Sequence, residues 1–322
     1  AMMLAMKSDA IDLIGVTTVN GNRIVPKTTE NALRVVQFMK SSVPVYRGCE
    51  EPIICNEIPG RKPGLPRVTL NDCHGDFLPL PEAEIRTEKE HAVFYLVKTL
   101  MESEGDIYVA AVGPLTNLAM ALRIEPKIAG KIKQLVIMGG GHCGANASPA
   151  AEFNFYADPE AAKIVMDSAI PKVILPLDAT WRACLSEEKC KELAQLGTPE
   201  AKVAAALVQK RIDNLKVNDG SEHNYALRHQ AGTVAGAMLY RYDNHMAPIH
   251  DALAIAYLID ENVVTELADA NVDIDIAGGL CDGRMVADFH NTKKSKAPVT
   301  AKVALNSDAG LFTDMLFAAL GK

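Results

Sequence analysis

This chain of 322 residues has little tryptophan, no long apolar run and no excess of positive charge. It holds one tryptophan, and aromatic residues make up only 5% of the sequence. No apolar run reaches the roughly 18 residues of a membrane-spanning helix. Lys and Arg total 33 against 40 Asp and Glu, and the net charge of −7 argues against binding to a nucleic-acid backbone. We expect a cytoplasmic protein whose partners are neither membranes nor nucleic acids.

Common metal, redox and nucleotide motifs are also missing. The seven cysteines contain no matched pair of C-x-x-C motifs, so neither a zinc site nor a disulfide framework is predicted. The motifs G-x-S-x-G, G-x-x-x-x-G-K-[ST] and H-E-x-x-H do not occur. A G-x-G-x-x-G pattern lies at 139–144, but a dinucleotide site needs a helix to open there. Residues 146–149 interrupt any helical pattern, so we reject that interpretation.

Strand-like and helix-like segments alternate along the chain. This order predicts an α/β fold with an open, mostly parallel, Rossmann-like sheet flanked by helices, in a single domain over 1–322. Late strands are expected to extend the sheet. The predicted strands are 11–18, 43–46, 106–112, 134–138, 172–177, 271–276, 285–288 and 299–303, and the predicted helices are 28–39, 88–104, 116–125, 159–168, 199–217 and 311–320.

One polar loop follows a buried strand. Residues 135–138 are all apolar, residues 139–141 are glycines, and Asn146, Glu152 and Asn154 come next. Open α/β sheets bind ligands at the carboxyl ends of their strands, and these amide and carboxylate groups suit a polyhydroxylated molecule such as a sugar. The alternative is a surface loop in which the asparagine side chains satisfy their own turns.

A His-Asp pair opens an apolar helical run that ends near Tyr257. His250 and Asp251 follow Pro248 and Ile249 and stand at the start of that run. A carboxylate at a helix start is favoured by capping and by the helix dipole. The structural alternative therefore makes Asp251 an N-cap and His250 a partly buried neighbour.

Taken together, these two stretches resemble the inosine-uridine nucleoside hydrolase family. Three more stretches match it in the same order along the chain, namely 15–22 (GVTTVNGN), 73–76 (CHGD) and 112–117 (VGPLTN). The resemblance covers nearly the whole chain. It implies calcium-dependent hydrolysis of the N-glycosidic bond of ribonucleosides to ribose and nucleobase, in nucleoside salvage, by a homodimer or homotetramer.

The resemblance also implies roles on the metal and ribose side. The Asp251 carboxylate and the Val112 carbonyl would bind calcium, and Asp251 would also touch a ribose hydroxyl. Asn154 would hold the ribose 2′ and 3′ hydroxyls. Asn146 and Glu152 would hold the 5′ hydroxyl end.

On the base side, the resemblance assigns His250 as the acid that protonates the leaving base. Asn22 matches a site asparagine near the base and the metal. His74, on a proline-rich loop, would close over the base and exclude water, and the alternative is a solvated loop residue. Family members strict for purines carry tryptophan where His250 stands, whereas the one tryptophan here is Trp181. The sequence therefore favours the broader or pyrimidine-accepting branch.

One family feature is not found. The signature Asp-x-Asp-x-x-x-Asp-Asp cluster after the first strand has no counterpart, and Ala1 to Met6 resemble the helix that follows it. We therefore expect the sequence to be cut short at its start, without the first strand, the general base and most of the calcium ligands. The alternative function is an inactive relative or a non-catalytic sugar- or nucleoside-binding protein.

Overall fold

A six-stranded mixed sheet forms the centre of the fold. The computed structural model describes residues 1–54, 75–217, 245–289 and 298–322. Its six strands are β3 Ile107–Ala111, β4 Ile132–Met138, β5 Lys172–Leu175, β8 Val264–Ile274, β9 Met285–Asp288 and β10 Ala301–Ser307. Their order across the sheet is β3-β4-β5-β10-β8-β9. The first four strands in this order pair in parallel, and β8 pairs antiparallel with both β10 and β9. The predicted α/β class and the late strands are confirmed.

Two small sheets accompany it. Strand β1, Val16–Thr18, pairs in parallel with β2, Val45–Arg47. Strand β6, Cys184–Ser186, pairs antiparallel with β7, Met246–Pro248.

Helices flank the main sheet on both faces. They are α1 Met2–Lys7, α2 Val25–Phe38, α3 Ala92–Glu102, α4 Thr116–Ile124, α5 Phe153–Ala157, α6 Pro159–Met166, α7 Leu177–Thr180, α8 Glu187–Gln195, α9 Pro199–Val217, α10 His250–Ile259 and α11 Ala309–Leu320. Short 3₁₀ helices cover Pro126–Lys131 and Glu261–Val263. Among the described ranges, none of the helices combines the length and hydrophobicity that a bilayer span requires.

The second half of strand β4 explains why a central strand of the sheet has a continuous run of apolar residues in the sequence. Leu135 and Ile137 belong to a core formed with α3, α4 and α6, whereas Val136 and Met138 belong to a second core formed with α1, α7, α10 and α11. Successive side chains point to opposite faces of a strand, and both faces here are covered by helices. The four positions from Leu135 to Met138 are therefore all apolar, whereas Lys133 near the start of the strand is exposed.

Most predicted elements lie within a few residues of the observed ones, and the predicted start of α9 is confirmed. The Thr198 hydroxyl accepts a hydrogen bond from the Ala201 amide at 3.1 Å, and Pro199 opens the helix.

Two predicted strand bounds were wrong. The strand predicted over 11–18 covers only Val16–Thr18 in the structure. Just before it, the Ile14 carbonyl accepts a hydrogen bond from the Tyr95 hydroxyl at 3.1 Å, so a side chain bonds this carbonyl where a longer strand would need a neighbouring strand. The strand predicted from Asn271 starts at Val264. Several residues of its first half are exposed, so no run of apolar side chains marked them in the sequence.

The Asn117 side chain joins the small β1–β2 sheet to the start of α4. Its Nδ2 donates to the Thr18 carbonyl at 2.9 Å, and its Oδ1 accepts from the Cys49 amide at 2.8 Å. Gly48 makes the approach possible, since a Cβ there would lie 2.3 Å from Asn117 Oδ1 and 2.4 Å from the Thr18 carbonyl oxygen. Asn117 is buried, so these two backbone groups depend on it.

We predict that Asn117→Ala lowers the free energy of unfolding by about 2–4 kcal/mol, because a buried carbonyl and a part-buried amide lose their partner. The matched control is Asn262→Ala, at an exposed asparagine bonded to Asp260, which should cost well under about 1 kcal/mol. Urea unfolding of both variants checks this. Equal stability losses would show that the Asn117 bridge is dispensable.

Candidate functional site

The turn after β4 is held in a conformation that only glycine adopts readily. Gly140 has φ +73°. A Cβ on Gly139 would lie 2.5 Å from the Phe155 ring, and one on Gly140 would lie 2.8 Å from both Phe155 and Met285. The Gly140 carbonyl accepts from the Leu177 amide at 3.0 Å, which fastens this turn to the residues after β5.

Glu152 lies at the centre of the loop and is almost fully buried. Its carboxylate accepts hydrogen bonds from the amides of Gly140 at 2.9 Å, Asn154 at 2.9 Å and Phe155 at 3.2 Å, and it is the N-cap of α5. Burial, with a smaller contribution from the Asp251 carboxylate, raises the pKa of Glu152 to about 7 in spite of these three amides. A carboxylate has roughly four acceptor sites. One therefore remains for a ligand hydroxyl.

The two asparagines predicted to bind sugar also support the loop. Asn154 is buried, and its Nδ2 donates to the Met138 carbonyl at 2.9 Å. Asn146 is exposed, and its Oδ1 accepts from the Phe153 amide at 2.8 Å. The other polar atom of each amide, Oδ1 of Asn154 and Nδ2 of Asn146, is the one suited to a ligand hydroxyl. The alternative, in which the asparagine side chains satisfy their own loop, therefore holds for one polar atom of each amide: Nδ2 of Asn154 and Oδ1 of Asn146.

His250 and Asp251 open α10 beside the ends of β4 and β5. Asp251 as N-cap was wrong, because Ile249 holds the N-cap position and Asp251 lies in the first turn. Asp251 keeps solvent-exposed surface, although protein atoms surround its carboxylate closely enough to shift its pKa. Partial loss of water around the carboxylate raises its pKa, and the Arg211 guanidinium opposes this shift.

The His250 ring is fixed by a residue that sequence reasoning missed. Its Nδ1 lies 2.8 Å from the Thr180 hydroxyl. Thr180 belongs to the single-turn helix α7, directly after β5, and is fully buried. Its place at the carboxyl end of a parallel strand was the available signal.

Asp178, on the same turn, was also missed. Its carboxylate accepts from the amides of His142 and Cys143, each at 2.8 Å. It therefore holds the tip of the glycine turn against the end of β5.

Two of the remaining predicted residues, Val112 and Asn22, follow strands β3 and β1. Val112 directly follows β3 and is half-buried. Asn22 follows β1 and is exposed, and a Cβ on the adjacent Gly21 would lie 3.2 Å from Pro114 and 4.0 Å from Phe153. His74 lies outside the described residues. In the part of the chain that the structure describes, no three His, Cys, Asp or Glu side chains gather as a metal site.

Sequence comparisons decide the family. A profile described as inosine-uridine preferring nucleoside hydrolase matches residues 1–314. The chain belongs to this family. It is 34% identical over 319 residues to the pyrimidine-specific ribonucleoside hydrolase RihB of Shigella flexneri serotype 5b, covering 97% of this chain and 90% of that protein. The protein of the same name from Escherichia coli O157:H7 is 33% identical over 315 residues, covering 96% and 89%.

Solved structures of similar fold agree with this assignment. A plant nucleoside hydrolase superposes with a TM-score of 0.81 at 24% identity, covering 100% of this chain and 94% of that one. A purine-preferring ribonucleoside hydrolase from Gardnerella vaginalis gives 0.79 at 23% identity, covering 100% and 93%. The fold of this chain is therefore that of nucleoside hydrolases.

The raised pKa of Glu152 predicts a pH-dependent contribution to stability. Its folded pKa of about 7 exceeds the ordinary value of 4.5. The contribution is therefore complete below pH 4.5 and is lost as the pH rises through 7. We predict that the melting temperature of the wild type, relative to Glu152→Gln, falls between pH 4.5 and 7.

The control for this experiment is Glu192→Gln, at an exposed carboxylate that pairs with Lys189. Its melting temperature should follow that of the wild type across the range. A constant difference between wild type and Glu152→Gln at every pH would contradict the assignment.

Proposed function

We propose that this family member is a calcium-dependent ribonucleoside hydrolase that accepts pyrimidine nucleosides. The observation that carries the proposal is the convergence of Glu152, Asn154, His250 and Asp251 at the carboxyl ends of β4 and β5. A single-domain organisation of residues 1–322, a homodimer or homotetramer and a cytoplasmic location belong to the same proposal.

The ribose is proposed to bind against the loop after β4. Asn154 would hold the 2′ and 3′ hydroxyls through Oδ1, because its Nδ2 is engaged with the Met138 carbonyl. Glu152 and Asn146 would bind the 5′ hydroxyl end. Preformed, mutually bonded groups lose little freedom on binding. They can therefore favour the flattened ring of the transition state.

Calcium is proposed as the cofactor on the strength of family membership. Asp251 and the Val112 carbonyl are the two ligands assigned to it, and an exposed carboxylate suits a hard cation. When bound, the ion would lower the pKa of a coordinated water. Calcium takes six to eight oxygen ligands. The described residues thus supply only part of its coordination shell.

His250 is proposed to protonate the leaving base. The bond between carbon 1′ and the base nitrogen breaks, its electron pair goes to the base, and the base takes a proton from His250. A water oxygen bonds to carbon 1′ in its place, and the proton that this water loses balances the one that His250 gives, so that the products are ribose and the free base. Asn22 and His74 are proposed to line the base side. The pyrimidine preference is supported by the pyrimidine-specific relatives and by a histidine where strict purine enzymes of the family carry tryptophan.

A second candidate is nucleoside binding without hydrolysis. The observation that favours it is that, among the described residues, no three His, Cys, Asp or Glu side chains lie close enough together to hold a metal ion. The two functions make the same ribose contacts and differ in whether ribose is released.

We expect the protein to release ribose from uridine in the presence of calcium, and to act much more slowly on deoxyuridine. Each site group assigned to a hydroxyl loses its partner when that hydroxyl is removed. A reducing-sugar assay with matched calorimetric binding measurements tests this. Uridine binding without ribose release would favour the second candidate, and equal rates on the two nucleosides would contradict the ribose contacts.

Replacing His250 by Ala should slow uridine and inosine hydrolysis by roughly 10²–10⁴-fold, the usual contribution of a general acid. Hydrolysis of p-nitrophenyl riboside should change little, because p-nitrophenolate leaves without a proton. Steady-state kinetics on the two substrate classes check this. Parallel losses would assign His250 to packing alone.

A further inference from the structure

We propose that Thr180 is a positioning residue that fixes the orientation of the His250 ring. The contact is the 2.8 Å hydrogen bond between Thr180 Oγ1 and His250 Nδ1. The inference rests on the proposed role of His250 as the acid. Because the two ring nitrogens lie on opposite edges of the imidazole, holding Nδ1 against α7 directs Nε2 away from α7.

Thr180 can act this way because its own position is fixed. Leu177, Ala179 and Thr180 are all fully buried, so α7 is packed on several sides. The Ala179 carbonyl accepts from the Ser307 hydroxyl of β10 at 2.9 Å. The Thr180 amide donates to the Pro176 carbonyl at 3.0 Å. The hydroxyl that meets His250 therefore stands on a rigid turn.

The chemistry of a hydroxyl suits this contact. A threonine hydroxyl donates or accepts, so it can bond Nδ1 whether or not that nitrogen carries a proton. When His250 gives the Nε2 proton to the leaving base, Nδ1–H still donates to Oγ1 and the ring keeps its orientation. The ring partner thus serves both before and after transfer.

The matched variants are Thr180→Val, which keeps shape and removes the hydroxyl, and Thr180→Ser, which restores it. Thr313→Val is the control, because it removes a hydroxyl bonded to Ala309 on α11 instead. We expect Thr180→Val to slow uridine hydrolysis about 10- to 100-fold, part of a general acid's contribution. Hydrolysis of p-nitrophenyl riboside should stay within about twofold of the wild type, and Thr180→Ser should recover most of the uridine rate.

A second measurement keeps the inference independent of turnover. Nitrogen-15 NMR of labelled histidine, with His250 assigned by its replacement, reports the Nδ1 hydrogen bond directly. The Nδ1 resonance of His250 should shift in Thr180→Val and stay in place in Thr313→Val. An unshifted resonance overturns the inference whatever the kinetics show.

The two proposals fail in different ways. A wild-type protein that releases no ribose removes the proposed hydrolase function, while the NMR shift still decides whether Thr180 holds the ring. A shifted resonance with equal losses on both substrates supports the contact and removes His250 as the acid. In the His250→Ala background, Thr180→Val should cause no further loss on uridine, and an additional loss contradicts action through His250.

Discussion

The bridge at Asn117 is the constraint on which the arrangement of the β1–β2 sheet against the rest of the molecule depends. Its amide satisfies the carbonyl of the last residue of β1 and a backbone amide just after β2, and it does so from the first turn of α4. Thr116, the next residue back, donates to the fully buried Asp158, which also accepts from the Ile53 amide. Two adjacent side chains thereby fix the chain at the end of β1, after β2 and before α6.

The candidate site is formed by loops that are joined to one another by hydrogen bonds. The turn after β4 and helix α7 after β5 are joined by the Leu177 amide on the Gly140 carbonyl and by Asp178 on two amides of the turn. Glu152 closes the same turn from the other side with three amides. Groups proposed to bind substrate thus double as the supports of their own loop, which keeps them ordered before a ligand arrives.

Local pattern was enough to predict the main sheet, helix α9 and the polar loop that holds Glu152 and Asn154. Each of these carries a signal within a few neighbouring residues: a continuous apolar run, a Thr-Pro start or a glycine turn. Thr180 follows a predicted strand, but nothing in its neighbourhood indicates its contact with His250, because that partner lies 70 residues away and only the folded sheet brings the two together. The same holds for the Tyr95 hydroxyl, which meets the backbone of Ile14 and so limits β1.

The loop after β4 divides into positions that are fixed and positions that are open to change. Gly139, Gly140 and Gly141 have no room for a side chain, and Glu152 and Asn154 are buried. His142, Cys143 and Pro149 are exposed, and the bonds of the first two to Asp178 use only their backbone amides. Substitutions should therefore be tolerated best at these three surface positions, because new side chains there leave the buried framework of the loop, the part proposed to hold ribose, unchanged.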